Sequence, residues 1–202
     1  MISHQGLVRT FLNPASKDNA NRMTIKMVNV TDKTRELILE IWDDDYYIVA
    51  AGDQAPTKDE VMILGEKYGI KLPDDYISHA MGALGGFFIE VKEELWPYAE
   101  ILAVAPFWEF LRGVYSYAYS EDAPEWMNIH IAAEQFKELG HKVIPVLKVW
   151  ADDGVYCYNE EGQLVKYFHE ENTFERVDKT WFELIEHELN ELAARKNRKL
   201  KK

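Results

Sequence analysis

Three short apolar segments separated by two tight turns constrain the fold more than any other part of the sequence. Strands joined by turns this short pair antiparallel, because a parallel connection needs a dozen or more residues. The region therefore predicts an antiparallel meander, with a sheet edge or a bulge at Pro145. The strands are 142-KVIPVLKVW-150, 155-VYCYN-159 and 163-QLVKYFH-169, and the turns are 151-ADDG-154 and 160-EEG-162.

A helix with clear signals at both ends is predicted at residues 57–69. Thr57 and Glu60 have the spacing of a capping box, in which each side chain bonds to the backbone amide of the other residue. Gly69 follows as a residue that adopts the left-handed conformation of a helix C-terminus at little steric cost.

The stretch 71-KLPDDYISHAMGALGGFF-88 combines an acidic pair with a glycine pair, which raises the question of a phosphate-binding loop. A phosphate loop needs its glycines between a strand and the start of a helix. Here Pro73 suits the first helical position, the apolar face continues to Leu84, and Gly85-Gly86 end the helix before a strand at 87–91. Because the glycines follow a helix, the pattern indicates helix termination instead of anion binding.

Two further helices and an aromatic segment complete the main part of the chain. Residues 124–140 have helical periodicity, and residues 106–120 alternate tyrosines as a strand does. Thr180 and Glu183 form a second capping box, which opens an amphipathic helix at 181–196. Helices first, then a meander and a closing helix favour an α+β fold, with a mostly antiparallel sheet and flanking helices.

The front end of the chain has weaker signals. Residues 23–30 fit a strand, residues 34–42 fit either a helix or a strand, and 43-DDD-45 interrupts the segment that precedes it. We therefore predict an N-terminal extension at 1–54 that packs on a main α+β domain at 55–202.

The charge distribution limits the classes of partner that the chain is expected to bind. The 202 residues carry a net charge of −12, although residues 195–202 hold six cations and no acid. An acidic body repels nucleic acid and membrane surfaces and attracts a basic protein, or serves solubility alone. The basic tail is predicted to be a solvated helix end that complements the helix dipole. Without a signal peptide or a spanning segment, the expected location is the cytoplasm.

Two motifs resemble catalytic or metal-binding patterns but lack a required residue. The run 187-HELNE-191 begins like a zinc-protease helix, yet position 191 is glutamate where the second histidine ligand would stand. Cys157 is the only cysteine and alternates with tyrosines in a strand, which predicts a packed core thiol. We expect no metal site, no cofactor and no enzymatic activity.

One catalytic alternative stays open. The segment 169-HEEN-172, with the acidic runs 43–45 and 152–153, has the residue types of a divalent-cation site or an acid–base pair. A metal-dependent hydrolase would need His169, Glu170 and one of the two aspartate runs within a few ångströms of one another. All three runs lie in or beside turns, where solvation and turn chemistry already favour such residues.

The order of these features resembles the SUKH superfamily, which includes the yeast cell-wall glucan synthesis regulators. The resemblance covers roughly residues 57–195 and departs from the family in the long front end. The similar segments are the helix ending at Gly69, LPDDY at 72–76, Gly85-Gly86 before a strand, PFWEF at 106–110, the strand–turn–strand segment 145–171 and the last helix, 180–192. The family positions are Leu72, Pro73, Asp75, Tyr76, Gly85, Gly86, Trp108, Gly154, Tyr156, Tyr158 and His169.

The resemblance implies an α+β fold without catalysis of its own. Bacterial members of the superfamily are commonly immunity proteins that bind and neutralise a polymorphic toxin, and fungal members are interaction hubs. We therefore expect a toxin-neutralising binding protein whose partner is a basic, nuclease-type toxin domain, with an intracellular scaffold or regulator as the alternative. The expected partner surface consists of Asp43, Asp44, Asp45, Asp152, Asp153, Glu170 and Glu171.

Overall fold

The computed structural model describes residues 30–41, 43–50, 55–98 and 105–201. In these residues the helices are α1 (Val30–Ile41), α2 (Lys58–Tyr68), α3 (Asp74–Ala80), α4 (Ile129–Glu138) and α5 (Trp181–Leu200). The strands are β1 (Tyr46–Ala50), β2 (Phe87–Val91), β3 (Gly113–Ser116), β4 (Ile144–Val149), β5 (Gly154–Tyr158), β6 (Leu164–Phe168) and β7 (Thr173–Arg176). Short 3₁₀ helices lie at Phe107–Phe110 and Glu125–Met127.

The described strands form a single antiparallel sheet in which spatial order equals chain order, from β1 to β7. The predicted α+β fold with an antiparallel sheet is confirmed. A register shift between Pro145 and Leu147 gives β4 the predicted bulge. Because the chain runs up and down through the sheet, all connections that precede an odd-numbered strand lie at the same end of it.

Strand register divides the side chains between two faces of the sheet. The inner face lies under α5, and Tyr156 of β5 donates a hydrogen bond of 2.6 Å to Glu188 of that helix. The outer face lies under α4, which packs on β4. One cross-strand row crosses the whole outer face. It runs Val49, Phe88, Tyr115, Lys148, Val155, Tyr167, Phe174.

Part of the predicted N-terminal extension belongs to the sheet and its helical layer. β1 pairs with β2 over its whole length, and α1 packs on α5 and α3. Residues 34–42, which fitted either helix or strand, are helical as far as Ile41. The strand predicted at 23–30 lies outside the described residues apart from Val30, which opens α1. The domain boundary at residue 54 stays a prediction.

Both capping boxes are confirmed. Thr57 and Glu60 exchange the two expected bonds at the start of α2, and Thr180 and Glu183 do so at the start of α5. Gly69 ends α2 with φ of 70°, in the left-handed region. The apolar stripe of α5 is buried, and no described helix is both long enough and apolar enough to cross a bilayer.

The structure corrects the predicted helix over residues 73–84. Pro73 caps α3 from outside instead of occupying its first turn, and the helix ends at Ala80. A Cβ atom on Gly85 would lie 2.1 Å from the carbonyl oxygen of Ala80, so only glycine fits where the chain folds back on the helix end. The glycine pair therefore permits a close backbone contact before β2. The strand predicted at 87–91 is confirmed.

The basic C-terminal region is a helix end, as predicted, but only its last part is solvated: Arg198 and Lys201 are exposed. α5 continues to Leu200, and both Arg195 and Lys196 are buried. Arg195 Nε donates to the carbonyl oxygen of Leu111 at 3.0 Å, and Lys199 bonds to Glu109 at 2.7 Å. Acceptors from segments remote in sequence surround these cations, which local sequence reasoning did not detect.

Two aromatic segments differ from their predicted form. Within 106–120, only Gly113–Ser116 is a strand, since Phe107–Phe110 forms a 3₁₀ helix. Within 124–140, a 3₁₀ turn at Glu125–Met127 precedes the α-helix. Asn128 separates this 3₁₀ turn from α4, because its side chain accepts hydrogen bonds from the first free backbone amides of the helix.

Candidate protein-binding surface

The fold brings the three predicted acidic runs to the same end of the sheet. Asp43–Asp45 precede β1, Asp152–Asp153 lie in the turn before β5, and Glu170–Glu171 lie in the turn before β7. Since antiparallel neighbours are about 4.8 Å apart, the first and second runs are separated by roughly 19 Å across four strand intervals. The acidic residues thus form an extended line and not a cluster.

Two members of the first run are bonded within the protein. Lys196, whose side chain is 6% exposed, donates to Asp43 and, at 3.0 Å, to Asp45. Burial opposes ionisation of Asp43, but the bonds from Lys196 and from the Asp45 amide hold the pKa of that carboxyl below its ordinary value. Asp44 is exposed and makes no ion pair within the described part of the chain.

The second run, Asp152–Asp153, also contains one acid that is paired with a lysine of the chain and one that is not. Asp152 bonds to Lys166 at 2.7 Å and also accepts the amide of Gly154, so it holds the turn together. Asp153 accepts the backbone amide of Glu170 at 3.4 Å, which joins the second run to the third. Glu170 and Glu171 are exposed, and among the described residues neither forms an ion pair. The exposed acids of the three runs without an ion pair among the described residues are therefore Asp44, Glu170 and Glu171, with the half-buried Asp153 beside Glu170.

The geometry does not assemble the metal site that the sequence left open. His169 is exposed and lies near Glu170 and Asp153, whereas the run 43–45 precedes β1, at the opposite edge of the sheet. Across the described residues, no group of three or more histidine, cysteine, aspartate or glutamate side chains could hold a metal ion. The hydrolase alternative has no assembled site in this region.

The family positions that lie in the core hold the α5 helix against the sheet. Asp75 accepts the amide of Trp181, and the buried Tyr76 ring packs 5.0 Å from the Trp181 ring and 5.3 Å from that of Tyr158. Leu72, Gly85, Gly86, Gly154 and Tyr156 are also buried, Pro73 and Trp108 are half-buried, and His169 is exposed. Asp75, Tyr76 and Tyr158 therefore contribute to the packing of α5 against the rest of the fold.

The outer face of the sheet carries an aromatic surface that the sequence analysis did not locate. We name it the outer aromatic patch; it consists of Tyr47, Phe88, Tyr115, Trp126 and Trp150. Phe88 is 5.6 Å from the Trp126 ring and 6.0 Å from the Trp150 ring, and the two tryptophans are 5.4 Å apart. Tyr47 lies 6.4 Å from Phe88, and Tyr115 lies 4.9 Å from Trp126.

The outer aromatic patch is partly accessible to solvent. Trp126 is 42% exposed, Tyr47 is 36% exposed and the neighbouring Val49 is 41% exposed. The doubled aromatics Tyr46-Tyr47 and Phe87-Phe88 were the available signal, because adjacent strand residues point to opposite faces. One ring of each pair enters the core, so the other must lie on the outer face.

A separate groove of about 800 Å³ lies between α2 and the start of α4. Burial, followed by the charge of Lys67, lowers the pKa of His130 at its wall. Two other charged groups there have structural bonds, since Glu60 completes the α2 capping box and Lys67 pairs with Glu134 at 3.2 Å.

The chain matches no family model, no curated protein and no solved structure. The resemblance to the SUKH superfamily therefore rests on the order of its motifs alone.

Proposed function

We propose that this chain is a non-catalytic binding protein that neutralises a basic, nuclease-type toxin domain by occupying its substrate groove. The observation that carries the proposal is the line of acidic turns at one end of the sheet, before β1, β5 and β7. The motif order that resembles the SUKH superfamily supports the same function, because its bacterial members are commonly immunity proteins.

The placement of the acids suits a partner that normally binds a phosphate backbone. A nuclease groove is lined by cations that contact successive phosphates, so a row of carboxylates complements it electrostatically. Asp44, Asp153, Glu170 and Glu171 supply that row, since Asp43, Asp45 and Asp152 are neutralised by lysines of the chain itself. Such complementarity increases the association rate more than it increases the affinity.

The test begins with a pull-down from the native cell lysate, using the tagged chain as bait and mass spectrometry as the readout. A single stoichiometric partner with a basic toxin domain is the expected result. The purified domain should then lose its nuclease activity at one equivalent of this chain, and co-expression of the chain should rescue growth. A captured domain that keeps its full nuclease activity in the complex would contradict the proposal.

The scaffold alternative predicts a different outcome of the same experiment. Many substoichiometric signalling proteins in place of one basic partner would favour a regulator without a toxin. The hydrolase alternative predicts turnover of a substrate by the chain alone. It is not favoured, because among the described residues no group of three or more histidine, cysteine, aspartate or glutamate side chains could hold a metal ion.

A further inference from the structure

We propose that the outer aromatic patch is the anchor site for arginine side chains of a basic protein partner. This inference rests on the proposed function, since it specifies how a basic partner would be held. The ring faces of Trp126 and Trp150 would stack on the guanidinium groups, and the acids beside the patch would neutralise their charge.

The geometry of the patch suits guanidinium stacking. Trp126 stands over the sheet on its 3₁₀ turn, 42% exposed, with Tyr115, Phe88 and Trp150 around it at 4.9, 5.6 and 5.4 Å. These rings meet edge to face, so the packing immobilises Trp126 without covering all of it. An immobilised, half-exposed tryptophan loses little entropy on binding, which is typical of an interface hot spot.

Acidic residues stand next to the rings in the chain. Glu125 precedes Trp126, and Asp153 follows Trp150 closely. Asp44 lies shortly before Tyr47, at the same end of the sheet as the other acidic turns. The patch therefore borders the acidic line, and charge complementarity selects a cationic occupant over an apolar one.

The ammonium group of Lys148, a residue of the outer face, does not lie over the ring of Trp126 or Trp150. Lys148 lies opposite Tyr115 in the cross-strand row, half-buried, and burial lowers the pKa of its amine although Asp152 and Asp153 oppose the shift. Arg112 is bonded to Glu90 at 2.8 Å on the same side of β2. Within the described residues, neither Trp126 nor Trp150 has a cation over its ring.

The chain uses the same chemistry elsewhere for its own arginines. The guanidinium of Arg112 lies 3.8 Å from the ring centroid of Tyr98, and that of Arg198 lies 5.0 Å from the ring centroid of Trp108. In the first contact Glu90 forms an ion pair with the arginine at 2.8 Å. Trp126 and Trp150 have acids close to them in the chain, and among the described residues no arginine lies over either ring.

The test uses the full chain and an amidated peptide of alternating arginine and glycine, with affinity measured by isothermal titration calorimetry at low salt. A matched peptide has citrulline, the uncharged isostere, in place of each arginine. Trp126→Ala should weaken binding of the arginine peptide by about five- to tenfold. Trp126→Phe, which keeps a ring, should remain within about threefold of the unaltered chain, and the citrulline peptide should bind at least about tenfold more weakly.

Phe174→Ala is the matched control, because Phe174 is an exposed aromatic residue at the opposite edge of the same cross-strand row. It should leave the affinity for the arginine peptide unchanged. Equal binding by Trp126→Ala and the unaltered chain, or equal binding of the two peptides, would overturn the inference.

The failure of this inference can be told apart from that of the proposed function. Loss of peptide binding in Trp126→Ala while no nuclease is inhibited would support the anchor site and reject toxin neutralisation. Nuclease inhibition that survives Trp126→Ala at full affinity would support neutralisation and reject the anchor site.

Discussion

The carboxylate of Asp75 accepts a hydrogen bond of 3.1 Å from the backbone amide of Trp181, so one helix caps another across the fold. The same side chain accepts the amide of Tyr76 through its other oxygen. The first turn of α5 has free amides that need acceptors, and Thr180 supplies only one of them. Asp75 supplies a second from the LPDDY segment.

Asp75→Ala should therefore destabilise the protein by about 1–2 kcal/mol, because a buried helix amide would lose its acceptor. Urea unfolding followed by circular dichroism would show a lower midpoint with an unchanged slope. Asp74→Ala is the control, since Asp74 is an exposed neighbour in the same turn of α3, and it should shift the midpoint much less.

Gly85→Ala should destabilise the protein more than Gly69→Ala does. At Gly85 a Cβ atom would lie 2.1 Å from the Ala80 carbonyl oxygen, which forces the backbone to move. At Gly69 nothing lies within 4 Å of the added Cβ atom. The alanine there destabilises only through its φ of 70°, by about 1–2 kcal/mol. Thermal unfolding of the two variants checks the order. A smaller loss for Gly85→Ala would mean that the chain relaxes freely at the end of α3.

The parts of the fold that sequence could predict are those governed by neighbours in the chain. The capping boxes at Thr57 and Thr180 and the turns of the β4–β6 meander depend on spacing alone. The end of α3 was misplaced because apolar periodicity continues to Leu84, whereas a backbone contact at Ala80 stops the helix. β7 was not predicted because all of its residues are exposed and show no alternation.

The candidate surface could be predicted only in part, for the same reason. The acidic residues were visible, but their partners Lys196 and Lys166 are distant in sequence, so the neutralised acids could not be separated from the free ones. The outer aromatic patch joins β1, β2, β3 and the Trp126 turn. A sequence pattern covers only neighbouring residues, so none could contain residues from all four of these segments.

Lys196→Met should destabilise the protein by about 1–3 kcal/mol, because Asp43 and Asp45 would lose a buried cation that bonds to both. The loss should shrink at low pH, where the Asp43 carboxyl, whose pKa these bonds hold below its ordinary value, becomes protonated. Lys201→Met, at the exposed end of the same helix, is the control and should have little effect. Equal unfolding free energies for the two variants would show that the Lys196 bonds add nothing net.

His79 makes stability depend on pH. Burial lowers the pKa of its imidazole to about 3, from 6.5, and both ring nitrogens lack a partner among the described residues. The unfolded chain therefore binds the extra proton first, so stability is complete above pH 6.5 and is lost as the pH falls toward 3. The slope approaches about 1.4 kcal/mol per pH unit.

Urea unfolding between pH 7 and pH 4.5 tests this dependence, because most carboxyls stay ionised in that window. His79→Leu should flatten the slope, whatever its effect on stability at pH 7. His130, whose pKa is also lowered by burial, contributes a smaller slope that remains in the variant. An identical slope in the variant would show that another group governs the pH dependence.

The acidic line predicts the association kinetics with a basic partner. Asp152 and Asp153 are a poor pair for charge reversal, since Asp152 holds its turn through Lys166. Glu170→Lys with Glu171→Lys reverses two exposed acids and should slow association with the captured toxin domain by about five- to tenfold at low salt. The difference should shrink as salt is raised. Stopped-flow measurement of the association rate is the readout.

The matched control reverses Glu66 of α2 and Glu138 of α4, two exposed acids in connections that precede even-numbered strands, at the end of the sheet opposite the acidic turns. It changes the net charge by the same amount, so a purely global charge effect would slow both variants equally. A larger effect at Glu170 and Glu171 would locate the encounter surface at the acidic end of the sheet. Equal rates and equal salt dependence for the two variants would reject that location, because only the local field distinguishes them.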